Sequence, residues 1–179
     1  MSMCYRAETT DSHKDGLRPS FYKEANWLQE LDDRFYYPDC DGKWMFFFPR
    51  SAIDDRWNEA VGLYRAGKLA GVASMQVSTA SPSPRAGDQV DHVILFFCGP
   101  SHLEDHVKRI GASIATAFPP GHSEIRYKSN FQTFSGTRAT GQRINSLYRL
   151  RGCPTRPNES REEFYDAVKP EKTVTDTST

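Results

Sequence analysis

Between Ile125 and Gly152 the sequence IRYKSNFQTFSGTRATGQRINSLYRLRG carries Arg126, Lys128, Arg138, Arg143, Arg149 and Arg151 and not one Asp or Glu. Guanidinium groups grip phosphate oxygens through paired hydrogen bonds, and an ammonium adds a point charge. Arg126, Lys128, Arg138 and Arg143 are therefore the candidate ligands of a phosphate, with donors added by the backbone N–H groups around Ser135-Gly136 and Thr140-Gly141. Tyr127, Phe131 and Phe134, interleaved with them, are candidate stacking surfaces for bases. The competing reading is a solvated loop and strand whose cations pair with acids elsewhere, since the run has no fixed spacing.

The formal net charge of zero argues against a nucleic-acid footprint spread over the whole protein. Its distribution is uneven: residues 1 to 60 hold twelve acids and eight bases, 126 to 158 no acid and seven bases, and 159 to 179 six acids and three bases. The positive charge is local.

Other chemistry finds less support. Cys4, Cys40, Cys98 and Cys153 are scattered, without a CxxC pair or a His at metal-ligand spacing, and read as free thiols. His102 and His106 sit one helical turn apart with no third ligand. No metal and no cofactor is expected. The polar first residues and the lack of a long apolar stretch predict neither a signal peptide nor a membrane anchor, hence no membrane partner and an intracellular, cytoplasmic protein with a nuclear presence allowed. The oligomeric state is left open.

A chain of 179 residues suits a single domain. Residues 1–19 lack periodicity and are expected as a flexible leader, 20–168 as the domain and 169–179 as a disordered tail. Phe21, Ala25, Leu28, Leu31 and Phe35 recur at helical spacing. KWMFFF reads as a strand ending at Pro49. Ser51 and Asp54 form a capping-box pattern before a helix whose apolar side is Ile53, Trp57, Ala60, Val61 and Tyr64, closing at Gly67.

AGVASMQVST and HVILFFC read as strands joined by the loop ASPSPRAGDQ. Ser101 to Glu104 repeats the capping pattern ahead of a helix marked by Val107, Ile110, Ile114 and Phe118. SEIRYK and INSLYRL are strands around a Gly, Ser and Thr loop, and NESREEFYDAV can add a short helix. The order α, β, α, β, β, α, β, β predicts an α+β domain: a curved, mostly antiparallel sheet with helices on one face.

The pair KWMFFFPRSAIDDRWNEAVGLYRAGKL resembles the aromatic strand and Trp-containing helix of the cap-binding translation initiation factor 4E fold. VILFFCGPSHLEDHVKRIGASIATAFPPGHSEIRYKSNFQTFSGTRATGQRINSLYRL is similar to that fold's second half, so the likeness runs over about residues 43 to 150. GKWMFFFPRS, AGVASMQVSTASPSPR and YKSNFQTFSGTRATGQRINSLYRL further resemble the uncharacterised family of basophilic-leukaemia-expressed proteins, to which the same fold is assigned. That family supplies a fold rather than a function.

The resemblance implies a phosphate-binding side at Arg126, Lys128, Arg138 and Arg143. The base-binding side is missing. A cap sandwich uses two loop tryptophans and a Glu, because a cationic base prefers aromatic faces and a carboxylate. Here Trp44 and Trp57 match framework positions, Trp27 belongs to the preceding helix, and ASPSPRAGDQ holds no tryptophan.

The function expected is thus a 4E-like module binding RNA or a phosphorylated ligand without the cap sandwich, more a binder than an enzyme. One alternative is an enzyme resembling phosphothreonine lyases, with Lys128 as base and His92 or His122 as acid, although Gln76 stands where a lysine would be wanted. Another is a protein-interaction adaptor using the Trp57 helix face or the acidic tail.

Overall fold

In a computed structural model describing residues 8–82, 91–134 and 146–155, alternation of apolar side chains along the central strands decides which face is covered. β3 (Gly42–Pro49) buries Trp44, Phe46 and Phe48, and β5 (Asp91–Cys98) buries Ile94, Phe96 and Cys98 on the same side. Around them lie β1 (Thr10–Ser12), β2 (Trp27–Leu31), β4 (Ser74–Ser78), β6 (Glu124–Ser129) and β7 (Tyr148–Arg151), in the order β1-β2-β4-β5-β3-β6-β7.

Two helices, α1 (Ile53–Arg65) and α2 (Glu104–Ala117), cover that face and share its core. Trp57 packs from α1, while the Trp44 indole N–H donates to the Val107 carbonyl of α2 at 3.0 Å. A methyl at Gly111 would overlap the Trp44 indole, so this close crossing requires glycine there. A short helix, α3 (Asn130–Phe134), follows β6.

The expected curved sheet is corrected. The sheet is mixed, with β1 parallel to β2 and the other pairings antiparallel, and it does not curl. Curling calls for bulges or kinks. Here each antiparallel ladder keeps one register throughout, from Gly42↔Cys98 to Pro49↔Asp91 in the longest.

The helix expected around Phe21 to Phe35 is instead a turn, β2 and a 3-10 turn at Asp33–Phe35. Its apolar spacing imitates a helix, but Leu28 and Glu30 are buried at a period of two and the backbone pairs with β4 from Trp27↔Ser78 to Leu31↔Ser74. Glu30 tolerates burial because Arg65 of α1 donates to both its carboxylate oxygens, at 2.7 and 3.2 Å. Within the expected leader, Thr10–Ser12 supplies an edge strand.

Both helices are where periodicity puts them, but neither capping box forms. Asp54 accepts instead from the Ser20 N–H and hydroxyl, at 2.8 and 2.6 Å, and the Ser101 N–H and hydroxyl go to Asp41. Asp54 and Ser101 thus serve tertiary contacts, while Glu104 pairs with Lys108 one turn along α2. The helix expected at NESREEFYDAV, the tail, and most of the ASPSPRAGDQ loop lie outside the described residues.

Candidate functional site

The face without α1 and α2 carries the alternate side chains: Lys43, Met45 and Phe47 of β3, Val93, Leu95 and Phe97 of β5, and Arg126 and Lys128 of β6. Pairing of β6 with β7 sets Arg126 opposite Arg149 and Glu124 opposite Arg151. Pairing with β3 sets Lys128 opposite Lys43. Four cations, Arg126, Lys128, Arg149 and Arg151, therefore share this edge, and among the described residues of β6 and β7 Glu124 carries the one carboxylate.

Glu124 accepts from Arg126 Nε at 2.7 Å and from Arg151 Nε at 3.0 Å, and these bonds hold its carboxyl below the usual range. Arg149 donates to the Ser146 hydroxyl at 2.9 Å and has no carboxylate partner among the described residues. One negative charge divided between two guanidiniums leaves the edge positive. The Arg126 and Arg151 side chains are half to three-quarters exposed, so their remaining N–H groups face water.

Lys43 is a charged group that sequence reasoning passed over. It is buried, and its ammonium donates to Asn130 Oδ1 at 2.9 Å and Thr133 Oγ1 at 2.7 Å, two uncharged acceptors, while lying 5.6 Å from the Phe97 ring centre. The signal was period two in KWMFFF, which puts Lys43, Met45 and Phe47 on one side. Met45, Phe47, Val93 and Phe97 are half-buried there and form an apolar floor beside the cations.

The expected residues divide as follows. Arg126 and Lys128 lie on this face; Arg138 and Arg143 lie outside the described residues, as do the Ser135-Gly136 and Thr140-Gly141 backbones. Phe131, on α3, is 79% exposed and available to a ligand. Phe134 ends α3.

Tyr127 requires a correction, because it projects to the helix-covered face and is fully buried. Its ring stacks on Tyr148 and meets Trp44 edge-on, and its hydroxyl donates to the Cys98 carbonyl at 2.9 Å. Strand alternation explains the error: neighbours Arg126 and Tyr127 must face opposite ways. Trp44 and Trp57 are core, as their framework positions imply, and the Trp27 indole donates to Glu8 at 3.1 Å.

The lyase arrangement is not assembled. Lys128 stands opposite Lys43, whereas His92 stands opposite Phe48 on the helix-covered side, five residues further along β5, or ~17 Å. His122 bonds Asp91 at 3.3 Å at the Pro49 end of β3, six residues or ~20 Å from Lys43. Base and acid are thus too far apart for one substrate. Ser78 meets His92 at 3.4 Å, but the carboxylate of Asp91 holds the other imidazole, so no Ser-His-Asp chain forms.

Cys40, Cys98 and Cys153 are free. Burial pushes the Cys40 thiol up to about 11 and that of Cys153 to about 12, so neither is a ready nucleophile. Among the described residues no cluster of three or more His, Cys, Asp and Glu could hold a metal ion, and no helix is long and apolar enough to cross a membrane.

Among solved structures, the chain is similar to Ascaris suum eIF4E-3 in complex with an m2,2,7G cap, at a TM-score of 0.43 and 16% identity. The match covers 62% of this chain and 58% of that one, so the chain spans less than two thirds of its length. This is a distant likeness of fold. No protein-family model and no curated protein matches, which leaves the resemblance to the basophilic-leukaemia-expressed family without support.

Proposed function

We propose that the face that α1 and α2 leave uncovered binds RNA or another phosphorylated ligand through its β6–β7 edge. The observation that carries this reading is the pairing of Arg126 with Arg149, with Glu124 the one carboxylate bonded to this pair of strands among the described residues. Like charges directly opposite destabilise a ladder, so their placement there favours a role in holding an anion. Arg guanidiniums take the phosphates and the exposed Phe131 offers aromatic surface to bases.

Arg138 and Arg143 enter through chain reach alone. They lie four residues after Phe134 and three before Ser146, which limits their distance from those points to ~14 Å and ~10 Å. Both points flank the cationic edge.

Binding of this kind reads the backbone and is indifferent to base sequence. Nuclear magnetic resonance titration with a short oligoribonucleotide tests it. Amides of Arg126, Lys128, Arg149 and Arg151 are expected to shift. Shifts confined to the helix-covered side, or none at all, would remove the proposal.

A further inference from the structure

At the opposite end of β3, seven residues or ~24 Å along the strand from Lys43, a second group of side chains converges. Arg18, Ser20, Phe21, Arg50, Ser51 and Asp54 line a depression of about 390 Å³. Its wall is fixed: Asp54 accepts from Ser20 N–H, from Ser20 Oγ and from Arg18 Nε at 3.0 Å, and Arg50 Nη2 donates to the Ser20 carbonyl at 2.7 Å. The Arg18 guanidinium lies 4.6 Å from the centre of the Phe21 ring, which is 63% exposed.

Asp54 has three donors and is spent on this scaffold. Arg50 differs, having a carbonyl as its partner and no carboxylate among the described residues. Its Nε–H and remaining Nη–H groups, the terminal nitrogens of Arg18 and the exposed Ser51 hydroxyl are donors without acceptors among the described residues. A tetrahedral dianion offers enough lone pairs for such a set, and a planar carboxylate fewer. Because the depression is larger than a phosphate, the group bearing that phosphate also has room, and the Phe21 ring gives it a flat apolar wall.

We propose that this depression binds a small phosphate monoester carrying a flat ring, nucleoside monophosphates being the class that meets both demands. Arg50 and Ser51 take the phosphate, Arg18 adds a second guanidinium, and the ring stacks against Phe21. The site is independent of the β6–β7 edge.

Calorimetric and resonance titrations of the full chain with a nucleoside 5′-monophosphate, ribose 5-phosphate and inorganic phosphate test the assignment. The nucleotide should bind most tightly and shift the amides of Ser20, Phe21 and Ser51. Arg50→Gln should weaken both esters by about tenfold, and Phe21→Ala should bring the nucleotide down to the affinity of ribose 5-phosphate. Both residues are exposed, so the variants should keep their fold, checked by circular dichroism. Arg126→Ala with Arg149→Ala should leave the nucleotide affinity unchanged. No binding, equal affinity in Arg50→Gln, or shifts only along β6 and β7 would overturn the site; equal affinity for nucleotide and ribose phosphate would overturn its ring selectivity.

Discussion

Lys43 and Lys128 stand directly opposite one another where β3 pairs with β6, on the face that α1 and α2 leave uncovered. Two ammonium-bearing side chains at facing positions oppose each other electrostatically. Replacing Lys128 with Met is expected to weaken RNA binding in an oligoribonucleotide titration, because one cation is lost from the β6 side of the edge. Unchanged affinity would assign Lys128 to the scaffold.

Tyr127→Phe tests the correction made to the stacking set. Loss of the hydroxyl bond to the Cys98 carbonyl should cost about 1–2 kcal/mol and leave RNA affinity unchanged, since the ring lies on the other face. A selective loss of affinity would return Tyr127 to the site.

The crossing of α2 over β3 depends on Gly111. Ala at that position must push the Trp44 indole aside, and overpacking of this kind costs about 1–3 kcal/mol. The urea midpoint should fall with the slope unchanged.

His13 sets a pH response. The Trp57 indole N–H donates to its Nδ1 at 3.1 Å, and the side chain is 2% exposed. Burial lowers its pKa from the ordinary 6.5; Arg65 acts in the same direction, and Glu30 and Asp15 oppose both. A lowered histidine pKa means that the unfolded chain binds the proton first, so stability should decline as pH falls from about 6.5 towards the native value. His13→Gln should flatten that decline in thermal unfolding measured over the same pH range.

Strong periodicity made β3, β5, α1 and α2 legible in the sequence, because KWMFFF, HVILFFC and the Trp57 and Ile110 stripes each bury one consistent face. It misled at β2, where helix-like spacing around Leu28 lost to pairing with β4, whose partners lie 43 to 51 residues away, from Leu31↔Ser74 to Trp27↔Ser78. The capping serines were misread for a similar reason: Ser20 competes for Asp54, and Asp41 for Ser101. The basic run was visible as composition. Its geometry was not, because facing Arg126 to Arg149 and Lys128 to Lys43 requires the register of three strands. Arg149 and Arg151 stood in the quoted run yet gained weight only through that register.

The central claim is that the β6–β7 edge holds phosphates, and the salt dependence of single-stranded RNA affinity measures this most directly. Each phosphate contact on a single strand contributes about 0.7 to the slope of log affinity against log salt, so Arg126→Ala with Arg149→Ala should reduce a steep slope by about 1.4. The loss should be similar for unrelated sequences. Affinity indifferent to salt, or a slope unaltered in the double variant, would contradict the account.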